Sequence, residues 1–360
     1  MLKARSIGVM GGGQLGRMLA HAAQRLGMTV TVLDPQADCP AGQAADAHLQ
    51  AAYDDHRALD ELASRCDAIT TEFENVPAPS LIRLAQHKPV RPSAAAVAIA
   101  QDRLLEKQYF REQGIDTALF WSLEGVGELD RDASIDACRE ANFPAILKTR
   151  RLGYDGKGQL DVPDFGSLPG AWAALGHEDC LLEERLDLRV ELSVVLARSR
   201  DAELSVYPAI ENIHTRGILD RSYFPARCDA RLASRAAELA ARLAAPRPHN
   251  SGHVTMDACA ISQFEQQARV LAGFPLGSSE HHAYACLINL LGERWFDRAG
   301  NYCEPDWARL LAIEGLHLHL YGKREPRLGR KMGHINLCAS SEALVDQTLV
   351  QVIGILERSS

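Results

Sequence analysis

The chain of 360 residues has no C-x-x-C pair, no internal repeat, no low-complexity tract and no excess of basic charge. Each absence removes a class of protein. Nine cysteines (Cys39, Cys66, Cys138, Cys180, Cys228, Cys259, Cys286, Cys303 and Cys338) are scattered and odd in number. That suits neither a disulfide framework nor a zinc site, and it fits a reducing cytosol. A net charge of −8 argues against nucleic acid or an anionic membrane as partner, while leaving room for local basic pockets. The apolar run at residues 6–10 is too short for a signal peptide or a membrane span, and no later run is long enough. The expected location is the cytoplasm. With 46% hydrophobic residues a large core is available, and the length suggests two or three domains.

What is present centres on Lys148-Thr-Arg-Arg-Leu-Gly-Tyr-Asp-Gly-Lys-Gly-Gln159. An apolar run at 143–147 reads as a buried strand ending at Lys148. Gly153, Gly156 and Gly158 then alternate with Tyr154, Asp155 and Lys157. Glycines at that density allow positive φ and let backbone N–H groups turn inward as an anion-binding nest. With Lys148, Arg150, Arg151 and Lys157 in the same dozen residues, the stretch reads as a mobile lid over polyphosphate. The alternative is a surface hairpin with ordinary turn glycines.

Along the chain, a strand at 7–10 runs into Gly11-Gly-Gly-Gln-Leu-Gly16, which matches G-x-G-x-x-G and opens a helix to Leu26. A second strand, 29–33, ends in Asp34, placed as the acid for a ribose hydroxyl would be. This opens an NAD reading, against a Rossmann-like unit whose glycines only allow close packing. Gln14 suggests a ligand contact. A third strand, 66–71, leads to Glu72 and Glu74, each a candidate for a polar ligand or for a helix N-terminus. One helix is expected from Ser93 through Lys107, with Arg103 and Lys107 on one face, by periodicity a solvated surface. Residues 180–187 read as a strand running into a hinge. The strand at 190–196 carries Glu191, a carboxylate that must be paired, solvated or bound to a ligand. His214 ends a strand at 207–214, and a lone histidine is more often structural. After an Ala-rich helix at 231–244, Arg247, His249, Asn250, Ser251 and His253 form a dense polar set that reads as a binding loop. Residues 262–267 open another helix, and 287–292 form a strand. Lys323, Arg330 and Lys331 surround Gly322, Gly329 and Gly333, a turn suited to a phosphate monoester.

In this order the landmarks resemble the ATP-grasp enzymes, and among them the N5-carboxyaminoimidazole ribonucleotide synthetases of purine biosynthesis. The matching pieces are GGGQLGRML, TEFENVP, DRLLEK, KTRRLGYDGKGQ, PRPHNSGH with SQFEQQ, and YGKREPRLGRKMGH, spanning Gly11 to His334. The resemblance implies an α/β (α+β) ATP-grasp fold: a Rossmann-like preATP-grasp domain at 1–96, an ATP-grasp domain at 97–290 and a small C-terminal domain at 291–360. It implies a ligase that uses ATP and Mg2+ to join bicarbonate to 5-aminoimidazole ribonucleotide through carboxyphosphate, in a cytoplasmic homodimer. Arg103 and Lys148 would meet ATP phosphates beneath a lid of Gly153, Tyr154, Asp155, Gly156, Lys157, Gly158 and Gln159. Glu183, Glu184, Arg185 and Leu186 would border adenine, Glu191 would hold ribose hydroxyls, and His214 would lie near the nucleotide. The ribonucleotide would meet Gln14, Glu72, Tyr154, Asp155, Arg247, His249, Asn250 and Ser251, with its phosphate on Lys323, Arg330 and Lys331. Catalysis would fall to Lys148, Tyr154, Asp155 and Arg247, Asp155 or a neighbour assisting proton removal from the amine. Other ATP-grasp ligases, and a catalytically impaired nucleotide-binding protein, are the alternatives.

The sequence departs from this pattern at one place. Leu243-Ala-Ala-Pro-Arg joins directly two segments between which the family carries a hairpin of about two dozen residues with the two carboxylates expected to hold Mg2+. No metal ligand is assigned in this chain. Either the chain is a truncated form, for which weak ATP binding, poor stability and no carboxylation are expected where two buried strands are missing, or the whole protein has residues that this sequence omits, and normal family activity is expected.

Overall fold

The computed structural model describes residues 5–125, 128–153, 157–215, 217–243 and 250–358. The chain divides into two compact units: Met1–Ala94 with Val190–Thr215 and Leu219–Ser360, and Ala95–Arg189 with Arg216–Ile218.

The larger unit begins with β1 (Ser6–Met10), α1 (Gln14–Arg25), β2 (Thr29–Leu33), β3 (Ala47–Leu49), α2 (His56–Arg65), β4 (Ala68–Thr71) and α3 (Ala78–Ala85). The strands form a parallel sheet in the order β3-β2-β1-β4. Ile7, Val9, Val30 and Val32 are fully buried, as expected where helices cover both faces of a parallel sheet. Asp55 caps α2 by accepting from the Arg57 and Ala58 N–H groups at 2.9 and 3.1 Å.

The smaller unit holds α5 (Arg103–Glu112), preceded by α4 (Ala94–Ala100), then β5 (Phe120–Leu123), α6 (Glu128–Ala137), β6 (Ala145–Thr149), β7 (Gln159–Val162), α7 (Leu168–Ala174) and β8 (Cys180–Glu184). Its antiparallel sheet runs β5-β8-β6-β7 over a core of Leu147, Leu182 and Trp172. Ile146 faces Glu183 across β6 and β8, so Lys148, two residues on, shares Glu183's face on the diagonal.

The chain returns to the larger unit with β9 (Glu191–Ser193), β10 (Leu196–Arg198), β11 (Leu204–Val206), β12 (Ile210–Thr215), β13 (Ile218–Phe224), α8 (Ala230–Arg242), a 3-10 turn (Asn250–Val254), α9 (Thr255–Ala258), α10 (Gln263–Ala272), β14 (Tyr284–Leu291), α11 (Trp307–Leu311), β15 (Leu316–Leu320), β16 (Lys331–Ala339) and α12 (Glu342–Arg358). Six strands form one sheet, β15-β16-β14-β13-β12-β9, and β10 with β11 makes a separate two-stranded ribbon. Phe264, Leu271 and Tyr321 pack with Leu19 and Val30 in one core, which fastens these later elements to the first sheet.

Two expectations are corrected here. The helix expected from Ser93 through Lys107 is two helices: the Asp102 side chain accepts from the Leu104 and Leu105 N–H groups and starts α5 afresh. The single strand at 190–196 is also two, β9 pairing with β12 and β10 with β11. No helix among the described residues is long and apolar enough to cross a membrane.

Candidate functional site

In the smaller unit the cationic side chains converge on one carboxylate. Lys148 Nζ lies 2.8 Å and Lys107 Nζ 3.4 Å from Glu183 Oε2, and Glu183 is only 6% exposed. Two ammonium groups on one carboxylate leave a net positive charge in a partly dry place, an arrangement that favours an anion. Lys107 therefore stands on a charged cluster and not on a solvated helix surface. No role was assigned to it from sequence, although its spacing from Arg103 was the available signal.

The Gly-rich stretch is held at its base. Arg103 Nε donates to the Thr149 carbonyl and its Nη2 to the Gly153 carbonyl, both at 3.2 Å. Arg103 thus braces the described edge of the stretch. Gly158 has φ +68°, and a Cβ there would lie 2.5 Å from Thr149 Oγ1, so glycine is required. Arg150 grips Asp102 at 2.7 and 3.1 Å, and that guanidinium holds the Asp102 carboxyl below its usual range although burial pushes the other way. Lys157 and Gln159 are exposed, Gln159 opposite Lys148 in the sheet. Glu184 accepts from Asn142 at 3.2 Å, Arg185 lies 3.7 Å from Asp161, and Leu186 is half exposed. Tyr154, Asp155, Gly156, Arg247 and His249 lie outside the described residues.

Glu191 and His214 belong to the larger unit, where Glu191 Oε2 lies 3.2 Å from His214 Nδ1. Of the three roles open to it, Glu191 is thus both paired with this histidine and half exposed to solvent.

The larger unit also brings together the N-terminal glycine turn and the C-terminal basic turn. Lys323 Nζ donates to Gln14 Oε1 at 3.0 Å and to the Lys331 carbonyl at 2.8 Å. Glu72 is buried beneath α1, accepting from the Gly13 N–H and, at 2.6 Å, from the Gly16 N–H. Burial pushes its carboxyl up to about 7 against the pull of those two N–H groups and of Lys323, with Asp34 adding to the rise. Gly11 has φ +112°, and a Cβ there would sit 2.5 Å from Glu72 Cγ. Arg330 Nη1 donates to the Glu325 carbonyl at 2.8 Å, and Lys331 is buried at the start of β16. Asn250 and Ser251 stand on the 3-10 turn; Ser251 is fully buried, and Asn250 Oδ1 is a buried acceptor with no partner among the described residues.

Asp34 does not offer itself to a ribose. It accepts from the Gly12 N–H at 2.7 Å, the Tyr53 hydroxyl at 2.6 Å and the Gln36 N–H at 2.8 Å. The acid of the G-x-G-x-x-G reading is therefore occupied in fastening its own loop, which removes the main support for NAD.

Among the described residues no three histidine, cysteine or carboxylate side chains meet in a geometry that would hold a metal. The buried carboxylates Asp34, Glu72, Asp102, Glu183 and Glu265, and the partly buried Asp257, are each engaged by backbone N–H groups or by hydroxyl, cationic or amide side chains.

The chain matches the model of the ribonucleotide synthetase preATP-grasp domain over residues 4–101 and that of the phosphoribosylaminoimidazole carboxylase C-terminal domain over 285–348. The ATP-grasp domain model matches in two segments, 108–245 and 244–264, which meet at the junction where the hairpin is expected. It is 41% identical over 358 residues to the N5-carboxyaminoimidazole ribonucleotide synthase of Brucella melitensis, covering 92% of this chain and 95% of the relative. The synthase of Pseudomonas aeruginosa is 38% identical over 374 residues, 98% of this chain and 99% of the relative. That alignment is longer than the 360-residue chain, so the relative carries residues this chain lacks. Among solved structures, the ADP complex of an N5-carboxyaminoimidazole ribonucleotide synthetase matches with a TM-score of 0.89 and 33% identity over 100% of this chain and 98% of the other. The enzyme of Aspergillus clavatus in complex with ADP and 5-aminoimidazole ribonucleotide matches at 0.87 and 28% identity over 99% and 100%.

Proposed function

The chain belongs to the N5-carboxyaminoimidazole ribonucleotide synthetase family of ATP-grasp ligases, and from that premise we propose that it joins bicarbonate to 5-aminoimidazole ribonucleotide at the expense of ATP. The observation that carries the reading is the pair of lysines, Lys107 and Lys148, held on the buried Glu183 carboxylate at the base of the Gly-rich stretch. These ammonium groups would meet the nucleotide's phosphates, as phosphoryl transfer needs positioned cations. Glu183, Glu184, Arg185 and Leu186 would border the base, with Glu191 and His214 on the ribose. Bicarbonate would take the γ-phosphoryl group, giving ADP and carboxyphosphate. Carboxyphosphate would release phosphate and CO2, and the ribonucleotide's amine would attack CO2, losing a proton to Asp155 or a neighbour to leave the N5-carbamate. Gly153 to Gln159 would exclude water, which destroys carboxyphosphate.

Residues 1–96 and 291–360 would hold the ribonucleotide: Gln14 and Glu72 on its polar edge, Lys323, Arg330 and Lys331 on its phosphate. Tyr154, Arg247, His249, Asn250 and Ser251 would complete that side. A homodimer and a cytoplasmic location are parts of the same reading. So is magnesium, although among the described residues no three histidine, cysteine or carboxylate side chains meet to hold it.

A second reading, a nucleotide-binding member impaired in turnover, is favoured by the break in the ATP-grasp match at 244–245. One experiment separates the two: ADP release from Mg-ATP and bicarbonate, with and without aminoimidazole ribonucleotide, on protein of verified intact mass. Ribonucleotide-dependent release is the expected result. Nucleotide binding without release, at the mass of this sequence, would overturn turnover and leave the second reading.

A further inference from the structure

A dense group of histidines lies where the 3-10 turn bearing Asn250 and Ser251 meets the strands that flank the basic turn, and none of its members has a role in the reading above. Asp257, on α9, lies with Oδ2 2.7 Å from His319 Nε2 on β15 and accepts at 2.6 Å from Asn336 Nδ2 on β16. The same Asn336 amide donates to the His253 carbonyl at 3.1 Å, within the 3-10 turn. His319 stacks on His334 at 4.6 Å between ring centroids and 16° between planes. His334 Nδ1 lies 2.8 Å from the Tyr321 hydroxyl, and Lys323 Nζ stands 5.5 Å over the Tyr321 ring.

The charges around Asp257 come from several elements. His317 and His319 face it from β15, with His334 and Asn336 behind on β16. His253 stands 5.1 Å from the His334 ring, and His21 reaches the group from α1. Burial would raise the Asp257 carboxyl, yet His319, Asn336 and His317 hold it below its usual range. Burial, His253 and His319 keep His334 well below the ordinary histidine range. His21 is lowered by burial, Arg17 and His319. The group is thus organised around one anionic carboxylate.

We propose that Asp257 is a positioning residue for the ribonucleotide: through His319 and Asn336 it locks the turn bearing Asn250 and Ser251 onto β15, which leads into the turn carrying Lys323, and β16, which opens at Lys331. The inference rests on the reading of those residues as ribonucleotide contacts. Asn336 grips the backbone of the turn and the carboxylate at once, so removing the carboxylate cuts the tie to β15 and leaves β16 held by the Asn336 bond to the His253 carbonyl without its anchor. The seat at Asn250 and Ser251 and the phosphate seat at the basic turn then lose their fixed separation, at a cost in affinity for this ligand alone.

The test is calorimetric binding of aminoimidazole ribonucleotide and, separately, ADP to Asp257→Ala, His319→Ala and His319→Gln. Loss of a charge-assisted hydrogen bond predicts that both alanine variants weaken ribonucleotide binding about tenfold. ADP affinity should stay within about twofold of the parent, well under one tenfold step. Gln retains an N–H donor for Asp257, so His319→Gln should recover most of the loss. Unchanged ribonucleotide affinity in His319→Ala would overturn the proposal, as would equal weakening of both ligands or no recovery with Gln. The His319 pair carries the test even where Asp257→Ala does not fold. A parent protein without ribonucleotide affinity would instead overturn the ribonucleotide reading itself.

Discussion

Glu183 sets the charge at the base of the Gly-rich stretch. Replacing it with Gln leaves Lys107 and Lys148 partly buried without their counter-ion, and breaking such a pair costs about 3 kcal/mol. A polyphosphate supplies the missing charge. The expected outcome for Glu183→Gln is a lower melting temperature without ligand and a larger upward shift on adding ATP than the parent shows. Equal shifts in the two proteins would mean that the lysines do not meet the nucleotide. Glu72 makes a second residue-scale prediction. Its carboxyl rises from 4.5 to about 7 on folding, so the fold favours the neutral form. Its contribution to stability is full below about pH 4.5 and is lost as pH rises through about 7, a span worth about 3 kcal/mol. In Glu72→Gln that slope should vanish: the parent's stability relative to the variant falls between about pH 5 and pH 8 in urea titrations. A difference flat with pH would contradict the assignment. From sequence, Glu72 had two open roles; only its burial beneath Gly13 and Gly16 shows that it caps α1.

α5 is where local signals misled. Alanines at 94–100 and the DRLLEK stretch read as one amphipathic helix, because periodicity does not register a cap in mid-run. Asp102 breaks the run by accepting from two N–H groups, and the same carboxylate holds Arg150 at the mouth of the Gly-rich stretch. Asp102→Ala removes both contacts and should cost about 3 kcal/mol in chemical denaturation, about 1 kcal/mol of it the cap. Asp102→Asn, which keeps a capping oxygen, should recover about that last part. Equal losses in Ala and Asn would show that the cap contributes nothing. The strand expected at 190–196 divides for a related reason. Its apolar residues suit a strand throughout, but β9 and β10 find partners in different sheets, a matter of long-range pairing that local sequence does not carry.

At the scale of the whole molecule, the junction after α8 matters most. Arg198 on β10 donates to the Ala241 carbonyl in the last turn of α8, and it also lines an open cleft bounded by Val195, Leu196, Tyr207, Val270 and Leu271. That cleft contains none of the residues assigned to ligands. The two-stranded ribbon beside it is short for a unit of sheet, since isolated hairpins are marginal in water. Inserting the corresponding stretch of the Pseudomonas aeruginosa relative between Ala244 and Ala245 should raise the melting temperature by about 5 °C or more and increase magnesium-dependent ADP release. An insertion that leaves both unchanged would show that this chain needs no further strands there. By itself the sequence determined the Rossmann-like opening, the Gly-rich stretch after Lys148, the basic C-terminal turn and the family. These depend on residues close together in the chain, where glycine spacing and alternation are directly legible. The tertiary structure alone decided that Lys107 and Lys148 share Glu183, that Gln14 meets Lys323, that Asp34 is occupied and that Asp257 ties a turn to two strands. Those contacts join residues far apart in sequence, and burial settles which polar groups must pair with which.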